Sequence, residues 1–194
     1  MAWLIVIVAV LAVLAAGLAV ALPRIRTRQL RARFGPEYER ALRGHGDDVR
    51  GAERELTARI RDDRALQLRP LGPAEQENVR RRLAEVQEQF VDDPGRAAGD
   101  AERQLTGLLD RLGYPAQGRT EALSVHHATA LPAYRTALGT LERAQAVQVG
   151  TEELRHALLA VRDLTLRVLA DRQAAPAAAG RPAALHKAPA PRTS

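Results

Sequence analysis

Apolar residues run along this chain in two regimes. From Met1 to Leu22 no side chain is charged, and Ala, Val, Leu and Ile fill the stretch with little interruption. About twenty helical residues at 1.5 Å each reach roughly 30 Å, the thickness of a bilayer's hydrocarbon core. The pattern predicts a transmembrane helix over 1–22, with Trp3 where an interfacial aromatic belongs and Pro23 at the far end. Beyond it the apolar positions thin out and recur every three or four residues between Pro and Gly breaks, as amphipathic helices require.

The breaks define the second regime. Arg24 to Phe34 is expected to form a basic helix, interrupted at Gly35-Pro36 and resumed to Arg43. Gly44-His45-Gly46 reads as a loop. Asp47 or Asp48 then caps a helix expected to run to about Leu68, with Val49, Ala52, Leu56 and Ile60 on one face. Pro73 opens the next helix and Val79, Leu83, Val86 and Phe90 form its stripe. Asp92-Asp93-Pro94 starts another, striped by Ala98, Ala101, Leu105, Leu108 and Leu112, and Gly113 with Pro115 stops it. A short helix over Gly118–His127 follows, then one opened by Pro132 that turns Tyr134, Leu138, Leu141 and Ala144 inward. The last is expected to be capped by Thr151, with Leu154, Leu158, Val161, Thr165 and Val168 as its buried edge.

No alternating apolar stretch bounded by hairpin turns occurs outside the first run, so the fold class is all-α. Stripes this short favour antiparallel helices packed within one chain over an intermolecular coiled coil. The expected organisation is a transmembrane anchor over 1–22, a basic juxtamembrane helix over 23–43, a helical bundle over 44–173 and a disordered Ala/Pro-rich tail over 174–194.

Charge changes the picture once it is divided. The formal net charge is +6, but residues 23–43 carry +5, residues 44–173 carry −2 and residues 174–194 carry +3. The bundle is therefore balanced, and it offers only Phe90, Tyr114 and Tyr134 as aromatics, which argues against a nucleic-acid surface. Arg24, Arg26, Arg28, Arg31 and Arg33 follow the apolar run directly. Such residues are retained on the cytoplasmic side, which orients the N-terminus outward and the bulk of the chain inward. They also suit contact with anionic headgroups at the membrane surface. The competing reading is a cleaved export signal, since Ala19-Val20-Ala21 satisfies a small-x-small pattern, although Met1 and Ala2 supply no basic leading region.

Candidate chemistry is sparse. The chain has no Cys, so disulfides, thiolate metal sites and Cys nucleophiles are excluded. Ser124 lies three residues before His127, but no nucleophile elbow surrounds it and no oxyanion donor can be named. His126 and His127 sit about 100° apart on a helix and cannot present both rings to one metal, and His156 reaches them only if the last helix packs there. Asp47-Asp48 and Asp92-Asp93 read as helix caps, and Asp62-Asp63 as part of a solvated face between Arg61 and Arg64. Arg80-Arg81-Arg82 reads as a solvated ridge. No catalytic, cofactor-binding or metal-ligating residue is assigned, and no cofactor is expected.

Several strings nonetheless carry a resemblance when taken together: Arg31-Ala-Arg-Phe-Gly-Pro-Glu-Tyr38, Gln87-Glu-Gln-Phe-Val-Asp-Asp-Pro94, Leu112-Gly-Tyr-Pro115, Leu123-Ser-Val-His-His127, Tyr134-Arg135 and Thr151-Glu-Glu-Leu-Arg155. In this order the chain resembles a group of uncharacterised actinobacterial single-pass membrane proteins, often labelled secreted or hypothetical membrane proteins. The resemblance implies a helical domain on a membrane stalk and brings no activity with it. The resulting expectation is a non-enzymatic, membrane-tethered helical interaction module with a cytoplasmic C-terminal domain and an unidentified protein partner. The alternative is an exported or surface-retained helical protein.

Overall fold

The computed structural model describes Trp3, Ile7 and residues 24–179, with side chains in the last helix described to residue 172. Every regular element among these residues is helical. They are α1 over residues 24–34, α2 (Pro36–Gly44), α3 (Val49–Ala65), α4 (Pro73–Gln89), α5 (Pro94–Leu112), α6 (Arg119–His127), α7 (Leu131–Ala144) and α8 (Thr151–Ala179). The transmembrane helix expected over 1–22 lies outside the described residues, Trp3 and Ile7 excepted. Among the described residues no helix is long and apolar enough to cross a membrane.

Local chemistry sets the boundaries. Asp48 caps α3 by accepting from the Arg50 amide at 3.0 Å, and Asp93 caps α5 by accepting from Arg96 at 2.9 Å. Pro36, Pro73 and Pro94 each stand in a first helical turn, where the missing N–H costs nothing. Gly113 ends α5 at φ 93°, the left-handed angle that lets its amide and that of Tyr114 fold back onto the Leu109 carbonyl. Three expected boundaries move. The third helix stops at Ala65, because the chain extends at Leu66 to carry the Arg69 amide to the Leu112 carbonyl at 2.9 Å. Gly150, rather than Thr151, precedes the last helix and accepts from the Leu154 amide. That helix then continues past residue 174, where the tail was expected to start, to Ala179; residues 180–194 lie outside the described residues.

The apolar faces assemble into two clusters. The larger joins α4, α5, α7 and α8 around Leu105, Leu108, Leu109, Leu131, Val161 and Leu164, all fully enclosed. Here α5 and α7 both pack on α8, with α4 outermost against α5. The short turns within the α4–α5 and α7–α8 pairs make these antiparallel hairpins. The smaller cluster comprises Leu30, Phe34, Tyr38, Ala41, Ala52 and Leu56 from α1, α2 and α3, and receives Val125 from α6. The basic segment 23–43 is thus no separate stalk: its Leu30, Phe34 and Tyr38 form a core with α3. Val49 was expected to share that core, but it stands at the first turn of α3 and is exposed.

Candidate functional site

Where the two clusters meet, the contacts are polar. Glu37 of α2 is only 1% exposed and receives a charge-assisted hydrogen bond from Arg135 of α7. Arg59 of α3 donates to the Ser124 hydroxyl of α6 at 3.2 Å and also pairs with Glu55 one turn back. Asp63, near the end of α3, lies 2.9 Å from His126 Nε2. The side chain of Asp63 is 10% exposed, so half of the Asp62-Asp63 pair is not the solvated face its arginine neighbours suggested.

The adjacent imidazoles diverge, as one helical step dictates. His126 turns to Asp63 on α3, whereas His127 turns into the larger core toward Asp171 on α8, with 3.4 Å between Nε2 and Oδ2. Their ring centroids are 6.4 Å apart. That carboxylate is off the line of a hydrogen bond, leaving the buried Nε2 without a partner. Burial lowers the His127 pKa below its ordinary value, partly opposed by Asp171, so the ring is held neutral. The Tyr114 hydroxyl, also buried and without a partner, senses Arg172, Asp63 and Asp171, and burial raises its pKa. On the other side of the α5–α7 contact, burial pushes the Tyr134 hydroxyl up to about 12. Glu55, which receives His45 at 2.7 Å, is held below the ordinary carboxylate range by that contact and by Arg59, against a burial effect that would raise it.

The arrangement supplies tethers and no assembled nucleophile. Ser124 is fully buried, donates to the Glu121 carbonyl at 2.5 Å and accepts from Arg59, so its hydroxyl is committed to packing. His156 stands apart, in a shallow groove between α7 and α8 beside Arg143 and Glu153. Among the described residues no group of three or more His, Cys, Asp or Glu side chains is placed to hold a metal ion.

The five arginines after the apolar run divide by their contacts. Arg26 donates to Thr57 at 2.8 Å and lies 3.9 Å from Glu53, while Arg31 covers the Tyr38 ring at 5.0 Å and pairs with Glu39. These two tie α1 into the fold. Arg28 and Arg33 are exposed and make no ion pair among the described residues, and Arg24 is exposed beside Ile25. The sequence motifs missed the Glu37–Arg135 pair, although both residues fall inside strings singled out above. A lone Glu two residues beyond a helix-breaking glycine gives no sign of burial, and its partner lies 98 residues away.

No family model, curated protein or solved structure matches the chain.

One further surface lies at the far end of the bundle. A groove of about 400 Å³ between α5 and α7 has Leu138, Leu141 and Ala144 on its floor and is bordered by Glu102, Arg103, Glu142 and Gln145. The turns next to it carry Val91 and Val147, which are 84% and 60% exposed.

Proposed function

We propose that the chain is a membrane-tethered helical interaction module with its bundle on the cytoplasmic side, of the kind implied by the resemblance to actinobacterial single-pass proteins. One observation carries the reading. The uncharged run 1–22 leads directly into a basic helix, and that helix is itself a core element through Leu30 and Phe34. A chain so built joins its folded body to the bilayer without a slack linker. Arg28 and Arg33, exposed and without an ion pair among the described residues, are the side chains of α1 freest to meet anionic headgroups on this reading, each worth about 1 kcal/mol near such a surface. Arg26 and Arg31 are partly spent on holding α1 to its neighbours. The groove flanked by the exposed Val91 and Val147, of mixed polar and apolar lining, is the surface feature offered to a protein partner on this reading.

Paired reporter fusions at the C-terminus test the orientation. A fluorescent protein that lights up, with an inactive alkaline phosphatase in its place, is the expected result. An active phosphatase together with a chain trimmed after Ala21 would replace this reading with the exported alternative.

A further inference from the structure

We propose that α1–α3 is a docked unit that swings away from the bundle as one body, opening along the polar seam and uncovering α6. Three observations converge on this device. First, the apolar continuity across the seam is slight: among the described residues only Val125 enters the smaller cluster from outside α1–α3. The unit therefore keeps its own core when it leaves. Second, the seam is under-satisfied. Of the buried side-chain atoms without a hydrogen-bond partner among the described residues, Glu37 Oε2, Arg135 Nη2 and Arg59 Nε belong to the pairs that cross it. Buried polar groups elsewhere in folded proteins are overwhelmingly paired, so a concentration of orphans marks the surface where water gains most by entering. The pairs that do cross, Glu37–Arg135, Arg59–Ser124 and Asp63–His126, exchange readily for hydration because each member is polar.

Third, the chain supplies a hinge. Helix α3 ends at Ala65 and Leu66 is extended, while Arg69 is pinned to α5 through its amide on the Leu112 carbonyl and its Nε on the Arg111 carbonyl at 3.3 Å. Glu75 holds the same guanidinium at 2.6 Å. Leu66 and Leu68 pack against the larger cluster, so everything from Leu66 onward stays with the bundle and the rotation falls at the end of α3, at Ala65–Leu66. Opening uncovers the buried Ser124 and Val125 on α6 and frees the partly covered Arg135 on α7, beside His126, which is already exposed in the closed form.

The absence of native cysteine makes the test clean. In the full chain held in detergent micelles, single-thiol variants Val125→Cys and Leu164→Cys are exposed to a maleimide under native conditions. Val125 lies on the seam and Leu164 deep in the larger cluster. The expected result is labelling at 125 at least tenfold faster than at 164, with Glu37→Gln accelerating the first several-fold and leaving the second unchanged. Labelling repeated across sub-denaturing urea provides the second arm, with the rate at 125 depending less on urea than the rate at 164. Equal rates at the two thiols, or labelling at 125 that occurs only with global unfolding, would show one cooperative body and overturn the proposal.

Discussion

Removing either partner of the buried ion pair should destabilise the protein unequally, and the structure says in which order. Glu37 is 1% exposed, while the Arg135 side chain keeps 18% of its surface in contact with solvent. Arg135→Ala strands a carboxylate that is sealed from water in the closed form. Glu37→Ala strands a guanidinium that still touches it. Breaking a fully buried pair costs about 3–5 kcal/mol. The first substitution should fall in that range, and the second, discounted for the residual exposure of Arg135, should cost about 2–3 kcal/mol. At ordinary urea m-values this lowers the unfolding midpoint by roughly 1–2 M. The combined Glu37→Leu/Arg135→Met variant leaves no stranded charge and should lie near the parent, since apolar replacements of buried pairs are often neutral. Urea titration of the four proteins, followed by far-ultraviolet circular dichroism, closes the cycle. Single substitutions that each cost less than about 0.5 kcal/mol would mean the pair behaves as a surface bridge, and the burial argument would fail.

Three further outcomes follow from the same geometry. Leu108→Asp puts an uncompensated charge into a fully enclosed position of α5 and should abolish cooperative melting; retained helicity with an unchanged melt would contradict the packing. Gly113→Ala forces a Cβ onto a residue at φ 93°, and should cost about 1–2 kcal/mol in the same urea assay. His127 carries a folded-state pKa below its unfolded value, so the unfolded chain binds more protons and stability rises with pH. The contribution is intact above the ordinary pKa of 6.5 and is lost as pH falls toward the folded value. His127→Gln should therefore flatten the stability slope as pH falls below 6.5, and an unaltered slope would exclude His127 as its source.

How far the sequence foretold this depends on the range of the interaction involved. Helix starts at Asp48, Pro73 and Asp93-Pro94 and the stop at Gly113 were legible because a cap or a φ preference acts within four residues. The stripe of α5 was legible because each of its apolar positions meets the core whichever helix faces it. Partnership was not. Periodicity shows that Leu30 and Phe34 share a face, but not that the face closes on Ala52 and Leu56. Asp63 looked solvated beside Arg61 and Arg64, yet its environment is set by His126 on a helix that arrives much later in the chain. Likewise Pro176 suggested an earlier end to α8 than the one observed at Ala179.

Gly35 has a leverage out of proportion to its size. It joins α1 to α2 at φ 48°, and a Cβ there would meet nothing within 4 Å, so only the backbone torsion opposes replacement. If the body hangs from a lipid surface, as proposed, that one torsion is the compass bearing of the whole assembly. Together with the packing of α1 on α3, it would then set whether the α5–α7 groove points along the bilayer or out into the surrounding fluid, and so which neighbours come within reach.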